Sequence, residues 1–476
     1  MPAALWLVLL PIGTVPVVYL LRQIKLGAIL AAVMAFLLAW LAVQLPTGVV
    51  VNFLGRTIEL DPLSQVTLAL LFVSTAVLFL IPLLCPPYTG GAVHSGIKGR
   101  EEKIFYPAGL AILAFFVAAS LSRHLGITAI FIEAAAILAV FVIQGERLDS
   151  TRAALRFLTL MSLATPLFLL AAWRIDLYQL SGGQISTTSL AQTVFFVGLG
   201  FALWLAVVPF HSWLTSVSAE SAPATAAFVL IAFPIVALTA LIHILAEFPW
   251  LIGSVQLVRA IILAGVFTAV VAGGLASVQR GFSQLTGYAA LYDLGCTLVI
   301  LGVGGQAAVV TTLVTLSVRA LALILMAIGT SAIRMRVAGD GFSQVAGVAR
   351  QVPAAVTGLI IGGLTLAGAP LLADFAPRWQ LIHSSAEVAS VLPVLLVLGG
   401  LGVAVGYLRG LSATLAPEKS TKNGRRLKAP LTFAEPRLLL VLISLLVVIT
   451  ILLGLFPSVL IEPLQAWTSG LSFPIQ

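Results

Sequence analysis

Six ionisable residues lie in or beside stretches of the chain that are otherwise almost entirely apolar. They are Glu133, Asp293, Arg319, Arg378, His211 and Glu220. A charged side chain at mid-membrane depth costs roughly 2.5–3.5 kcal/mol on insertion scales, so such residues often mark ion or proton pathways. Burial raises the pKa of a carboxyl and a nearby cation lowers it, so small movements can load and release a proton. These residue types therefore predict acid–base relay chemistry inside a membrane.

A static role is the alternative for each of these charges. Glu133 taken alone fits equally well a fixed pair with an arginine that locks two helices together. Asp374 and Arg378 are spaced i, i+4 and are expected to neutralise each other. Several charges at mid-depth on different helices favour an ion path, either present or ancestral.

The rest of the chain indicates the membrane that surrounds these charges. Of its 476 residues, 60% are hydrophobic and only 9% are charged, whereas a soluble domain has about 25% charged residues. The sequence therefore predicts an all-α polytopic membrane protein with about fourteen transmembrane helices, each about 20 residues long. The apolar runs lie near 3–21, 26–45, 63–85, 104–121, 125–144, 153–173, 190–208, 224–246, 257–277, 284–304, 307–331, 353–379, 388–408 and 437–456.

Basic residues fall mainly on alternate connections between these runs. Eighteen of the 25 Lys and Arg residues lie in the odd-numbered connections and three in the even-numbered ones. The positive-inside rule then places the odd connections in the cytoplasm and both termini outside. The expected location is the inner (plasma) membrane, or a thylakoid membrane if the source is a cyanobacterium. The net charge of +8 therefore does not indicate a nucleic-acid partner.

Proline interrupts two of the predicted spans. The seventh ends at Pro209 and the twelfth is broken at Pro370, because proline removes a helical hydrogen bond. Glu133 precedes the first proline by 76 positions, and Asp293 precedes the second by 77. This spacing predicts two inverted five-helix repeats, spans 4–8 and 9–13, with broken helices 7 and 12.

The predicted organisation has five segments. They are an N-terminal three-helix segment with an external hairpin (1–103), a first five-helix repeat (104–246), a second five-helix repeat (251–408), a basic cytoplasmic linker (409–436), and a C-terminal helix with its tail (437–476). No segment is long and polar enough to hold a separate nucleotide-binding domain, so the chemistry is expected within the helices.

Cofactor-binding motifs are not indicated. The sequence has no Walker motif, and its two cysteines, Cys85 and Cys296, do not have metal or iron–sulfur spacing. Gly400, Gly402 and Gly406 lie inside an apolar run and indicate close helix packing rather than a dinucleotide loop. We therefore expect no cofactor, metal or redox centre in this chain.

Five short motifs stand in or beside the apolar runs. They are Pro209-Phe210-His211-Ser212-Trp213-Leu214, Tyr288-Ala289-Ala290-Leu291-Tyr292-Asp293-Leu294-Gly295, Arg319-Ala320-Leu321-Ala322-Leu323, Leu366-Ala367-Gly368-Ala369-Pro370 and Leu453-Gly454-Leu455-Phe456-Pro457. Together they resemble the antiporter-like membrane subunits of respiratory complex I and their relatives in multisubunit sodium/proton antiporters and membrane-bound hydrogenases.

The resemblance implies a role within a larger assembly. It implies one antiporter-like module that moves protons, or sodium ions, while other membrane-arm subunits serve as partners in the lipid bilayer. Any enzyme activity, such as NADH- or ferredoxin:quinone oxidoreduction, then belongs to the assembly and not to this chain. Glu133 matches the gating carboxylate that the family has in its fifth span.

The chain departs from the family at the positions of its lysines. By the resemblance, Trp204, Val236 and Leu323 stand where the family has lysines in spans 7, 8 and 11, and Asp293 replaces a histidine. Arginine stays protonated under almost all conditions and is a poor relay. Three hypotheses remain: proton conduction by a rewired route through Glu133 and Asp293, a non-pumping scaffold subunit of the same complex, and a cation/proton antiporter subunit or independent transporter.

Overall fold

Helices make up nearly all of the chain that the computed structural model describes, which comprises residues 3–53, 56–85, 101–145, 150–181, 187–252, 255–337, 339–417 and 435–468. The first helices are α1 (Trp6–Leu21), α2 (Lys25–Gln44), α3 (Pro62–Leu84), α4 (Glu101–Leu121), α5 (Leu125–Gln144), α6 (Thr151–Leu180), α7 (Thr187–Trp204), α8 (Ser212–Glu220) and α9 (Pro223–Glu247). The others are α10 (Pro249–Ile252), α11 (Val255–Val278), α12 (Phe282–Val303), α13 (Gln306–Arg334), α14 (Pro353–Leu366), α15 (Phe375–Val388), α16 (Val391–Leu415), α17 (Arg437–Leu455) and α18 (Ser458–Thr468). The predicted all-α membrane class is confirmed.

Most of these helices have the dimensions of membrane spans. In the described part of the chain, eleven helices are long and apolar enough to cross a bilayer, and three shorter apolar helices accompany them: Trp6–Leu21, Leu190–Trp204 and Pro353–Leu366. About 20 residues are needed to cross the hydrocarbon core. The number of fourteen spans stays a prediction.

The interior of the bundle is formed by α9, α12 and α13. Their most apolar windows are 89%, 83% and 89% buried, whereas those of α6 and α17 are 33% and 22% buried. Helix α9 packs against α3 and α13, and α12 packs against α11 and α13. Polar groups on the three central helices are therefore shielded from lipid by the rest of the bundle.

The backbone between α7 and α8 leaves the helix around Pro209. The backbone N–H and carbonyl groups that lose their helical partners at the break form hydrogen bonds inside the protein. The Val208 N–H donates to Thr268 Oγ1 at 3.2 Å, and the Leu203 carbonyl accepts from Trp213 Nε1 at 3.1 Å. Irregular backbone at membrane depth is tolerated only when protein covers it in this way.

A second break, around Pro370, separates α14 from α15. Here Gly368 and Leu371 have φ values of +78° and +69°, and in the first break Ala206 has a φ of +54°. These left-handed residues turn the chain where the helix stops. The chain therefore leaves the helix near both prolines, while the inverted repeat stays a prediction.

The predicted hairpin is present between α2 and α3. Strands β1 (Val50–Phe53) and β2 (Arg56–Glu59) pair antiparallel, with Val50 opposite Glu59. After β2, Asp61 caps α3 by accepting the Ser64 N–H at 3.2 Å. This end of the bundle is called the hairpin face below.

The predicted linker begins later than the sequence suggested. Helix α16 continues through Leu415, so residue 409 is helical, and the expectation of a loop from that position was wrong because the basic Arg409 does not end an otherwise apolar helix. Residues 418–434, the basic part of the linker, lie outside the described residues.

Candidate functional site

Asp293 on α12 and Arg319 on α13 form an ion pair in the interior of the bundle. Arg319 Nη1 donates to Asp293 Oδ2 at 2.8 Å, and both side chains are 1% exposed. Arg319 also donates to the carbonyl oxygens of Ala290, at 2.7 Å, and Leu230, at 3.2 Å. Because Leu230 belongs to α9, this one guanidinium joins the three central helices.

Arg378, in the first turn of α15, reaches the same carboxylate from the other side. Its Nη2 lies 2.5 Å from Asp293 Oδ1 and 2.7 Å from Asp374 Oδ2. Gly368 leaves room for this side chain, because a Cβ there would lie 2.7 Å from Arg378 Cγ. Asp293, Arg319, Asp374 and Arg378 are together called the charge box.

The charge box contains two guanidinium groups and two carboxyl groups. Arg378, the most exposed of the four side chains, is only 6% exposed. The Tyr292 ring centroid lies 5.0 Å from Arg378 Cζ, a cation–π distance. Removing one member of such a buried pair leaves an uncompensated charge and destabilises strongly. The box is therefore built to hold α9, α12, α13 and α15 together.

Glu133 on α5 is not part of the charge box. Ser162 Oγ donates to its Oε1 at 2.5 Å, and Thr165 Oγ1 donates to its Oε2 at 3.0 Å. The side chain is partly exposed between α5 and α6. Among the described residues, no cation pairs with it. The structure therefore pairs Arg319 with Asp293 and not with Glu133.

His211 and Glu220 lie at opposite ends of the α8 segment. His211 is partly exposed, and its Nδ1 has no hydrogen-bond partner among the described residues. Glu220 Oε2 accepts the Ala153 N–H at 2.9 Å, which satisfies a free amide in the first turn of α6. Glu220 thus has a capping contact, and neither residue touches the charge box.

The three positions matched to family lysines are filled with buried apolar side chains. Trp204, Val236 and Leu323 are 1%, 2% and 0% exposed. The Trp204 ring packs 4.0 Å from the Phe168 ring centroid, and Phe201 packs at 5.8 Å. A close-packed aromatic cluster therefore occupies the end of α7, immediately before the first break.

A second polar group, at the hairpin face, was not predicted from the sequence. His243 Nε2 lies 3.1 Å from Asp61 Oδ2, and Arg123 Nη2 lies 3.6 Å from Asp61 Oδ1 and 3.3 Å from Glu59 Oε2. Together with Glu247, one turn beyond His243, these residues are called the hairpin-face cluster. Asp61 before Pro62 is a helix-start pattern. This pattern could have indicated a carboxylate at the beginning of α3, next to the predicted hairpin.

The charge on Asp61 is stabilised by its neighbours. Burial alone would raise the pKa of Asp61, but His243, Arg123 and the Ser64 hydrogen bond outweigh burial and hold that pKa below its ordinary value. A cavity of about 30 Å³ opens beside the cluster, lined by Ser120, Ser122, Arg123, His243 and Glu247 and reaching Val236. Its volume suits about two water molecules.

Metal binding has no obvious donor set in the described part of the chain. No group of three or more His, Cys, Asp or Glu side chains there is arranged to hold a metal ion. Cys85 and Cys296 are buried and unbridged. The carboxyl and histidine side chains described above can support charge pairing and proton exchange.

Comparison with known proteins agrees with this architecture. The chain is 28% identical over 359 residues to NADH-quinone oxidoreductase subunit N of Rhodospirillum rubrum, covering 71% of this chain and 70% of that protein. Its fold is shared with a chain of the Mrp complex from Dietzia sp. DQ12-45-1b (TM-score 0.81, 16% identity, 99% and 98% of the two chains covered). It is also shared with a chain of an archaeal membrane-bound sulfane sulfur reductase (TM-score 0.82, 18% identity, 99% and 98% covered). Residues 122–403, more than half of the chain, match the family "NADH:quinone oxidoreductase/Mrp antiporter, TM", and the protein belongs to this family of antiporter-like membrane subunits.

Proposed function

We propose that this chain is a membrane-arm subunit of a complex I-type assembly that couples electron transfer to proton translocation, and that it acts there as a packing scaffold. The similarity to a NADH-quinone oxidoreductase subunit supports other membrane-arm subunits as its partners. Its proposed location is the plasma membrane, with both termini outside. Protons, or sodium ions, would cross the membrane through neighbouring subunits.

The observation that carries this proposal is the pairing of Asp293 with two arginines. Both oxygens of Asp293 are engaged by arginines, at 2.8 and 2.5 Å. Arginine stays protonated under almost all conditions and is a poor proton relay, and each oxygen of Asp293 already has a guanidinium partner. The box therefore favours a fixed lock between helices over a relay.

The apolar residues at the family's lysine positions support the same conclusion. Hydrocarbon or indole at Trp204, Val236 and Leu323, none more than 2% exposed, offers no proton-binding group at these three positions. Proton transfer needs groups within hydrogen-bond reach of one another or of a bridging water. We infer that these substitutions interrupt the central proton line of the family.

Proton conduction by a rewired route is the second candidate, and Glu133 favours it. Its carboxylate has two hydroxyl donors, Ser162 and Thr165, and no cation partner among the described residues. Such a group can change its protonation state without breaking an ion pair. Conduction would then enter at Glu133 and bypass Trp204.

Replacing Glu133 with glutamine separates the two candidates. In the scaffold proposal, the purified assembly in proteoliposomes keeps its ratio of protons translocated to electrons transferred, because no proton passes through Glu133. In the conduction proposal, that ratio falls while the assembly remains intact. The measurement is simultaneous recording of electron transfer and of internal acidification.

Thr165→Val is the matched control for this experiment. It removes one hydroxyl donor to Glu133 and retains the carboxylate. An unchanged ratio in both variants supports the scaffold. A ratio that falls in Glu133→Gln and is retained in Thr165→Val, at unchanged electron-transfer rate, overturns it.

A further inference from the structure

We propose that His243 is a proton-binding switch at the hairpin face, reached through the adjacent cavity, and that its protonation tightens the attachment of the β1–β2 hairpin to the helix bundle. This inference goes beyond the proposed function, because it concerns how the hairpin is held and not whether the chain conducts protons. It rests on the contacts of His243, Asp61 and Arg123.

The first step is the position of Asp61 between the hairpin and the bundle. Asp61 is separated from β2 by one residue, Leu60, and caps α3 by accepting the Ser64 N–H. Its other contacts come from elsewhere in the sequence: His243 on α9, at 3.1 Å, and Arg123 between α4 and α5, at 3.6 Å. The side chain is 5% exposed. Asp61 is therefore the point at which the hairpin segment is tied to α9.

The second step concerns two further contacts that hold strand β2 to the helix bundle near Asp61. Ile58 of β2 forms an antiparallel bridge with Ser122, and Glu59 pairs with Arg123 at 3.3 Å. The first contact is made by backbone atoms, and the second joins a carboxylate to a guanidinium group. The His243–Asp61 pair is the contact in this set whose charge can change between about pH 5 and 8, because histidine is the side chain that ordinarily titrates there.

The third step is the charge around His243. The groups that face it are Asp61 from α3, Arg123 and His124 from the α4–α5 connection, Glu247 from α9 and, behind Arg123, Glu59 from β2. His124 is itself paired with Asp176 of α6 at 3.2 Å. Three carboxylates thus surround one arginine near His243. A proton added to the imidazole therefore enters a region in which carboxyl groups outnumber guanidinium groups.

The fourth step is access for the proton. The His243 side chain is only 13% exposed, but it lines the cavity together with Ser120, Ser122 and Glu247. These side chains supply hydrogen-bonding groups, and the volume of about 30 Å³ suits about two water molecules. The cavity therefore offers the imidazole a polar approach that is large enough for water.

The chemical change is a single protonation. In the neutral ring, Nε2 carries the hydrogen that Asp61 Oδ2 accepts, and the added proton binds Nδ1. The contact with Asp61 then changes from a hydrogen bond with one charged partner to an ion pair. Charge-assisted bonds of this kind are shorter and stronger than those with fewer charges. The hairpin should therefore be held more firmly when His243 is protonated, at low pH, than when it is neutral, at high pH.

Hydrogen–deuterium exchange of the intact assembly tests this proposal. The quantity is the exchange rate of the β2 amides in His243→Gln divided by that in the wild type at the same pH, which cancels the intrinsic pH dependence of exchange. We expect this ratio to be about fivefold at pH 5.5 and to approach one at pH 8.5. The neutral glutamine keeps an N–H donor, so only the charge is removed.

A second variant and a control make the result decisive. His243→Arg carries a permanent charge and should keep β2 protected at both pH values. His383→Gln, an exposed histidine on α15, should match the wild type throughout. A ratio that does not change with pH in His243→Gln, or an arginine variant that loses protection at pH 8.5 as the wild type does, would overturn the switch. Neither readout involves proton transport, so failure here leaves the scaffold proposal intact.

Discussion

Substituting Asp293 with asparagine is expected to reduce the free energy of unfolding by about 3–5 kcal/mol, the cost of breaking a buried ion pair by removing one partner. The change leaves Arg319 and Arg378 inside the bundle with only Asp374 to neutralise them. Asparagine is close in size to aspartate, so the loss reports charge rather than a cavity. The measurement is the denaturation midpoint of the purified assembly, followed by fluorescence-detected size-exclusion chromatography after heating.

Thr297→Ala is the matched control on the same helix. Thr297 is 1% exposed, and its hydroxyl donates to the Asp293 backbone carbonyl at 2.8 Å. The substitution removes a neutral hydrogen bond one turn from the charge box and is expected to cost about 1 kcal/mol. If Asp293→Asn costs no more than Thr297→Ala, the box does not lock the helices.

Removing one charge of each sign provides a sharper test of whether the charge box locks the helices together. The double variant Asp293→Leu with Arg319→Met removes one charge of each sign and leaves the Asp374–Arg378 pair, at 2.7 Å, neutral as a unit. Buried ion pairs can often be replaced by apolar residues of similar volume at little cost. We expect the double variant to be more stable than Asp293→Asn. The double variant could instead lose as much stability as its two single substitutions added together. The hydrogen bonds of Arg319 to Ala290 and Leu230 would then contribute more to the stability of the box than charge balance does.

The sequence was sufficient to predict the features that depend on residues close together along the chain. Proline at positions 209 and 370 indicated where helices stop, because the ring removes a donor and blocks the preceding turn. The i, i+4 spacing of Asp374 and Arg378 predicted their contact, since a helix places such residues on one face.

The contacts between distant segments could not be predicted in the same way. Helical periodicity fixes the face on which Arg319 lies but not the helix that it meets, so its choice of Asp293 over Glu133 required the structure. The hairpin-face cluster joins Asp61 to His243 across 182 positions. His243 lies near the end of an apolar run, but one sequence carries no information about which ends pack together.

Helix crossings at small residues could be predicted only in part from the sequence. The glycines near position 400 predicted a close approach, but not its partner. In the structure, α16 crosses α11, and a Cβ on Gly402 would overlap the carbonyl oxygen of Gly273. Removing side chains lets two backbones approach and is a common way to pack helices within a membrane. The resulting contact can be tested with neighbouring residues on α11.

Gly273→Ala and Gly274→Ala are expected to change stability in opposite directions. A methyl group at Gly273 would overlap the carbonyl oxygen of Gly399 and lie 2.5 Å from its Cα, whereas a methyl group at Gly274 has nothing within 4 Å. Because the obstacle at Gly273 is backbone, α11 and α16 must separate, which costs about 1–3 kcal/mol or more. Alanine at Gly274 meets no obstacle and should gain up to about 1 kcal/mol from its higher helix propensity.

The two variants serve as controls for each other, since they place the same methyl group on adjacent residues of one helix. Denaturation midpoints of the assembly should fall for Gly273→Ala and rise or stay constant for Gly274→Ala. A fall of equal size in both would mean that glycine is needed for the flexibility of α11 and not for its crossing with α16. Equal and small effects would mean that the two helices can move apart without loss. Only a fall for Gly273→Ala without a fall for Gly274→Ala fits a crossing in which the α16 backbone occupies the space of the missing side chain.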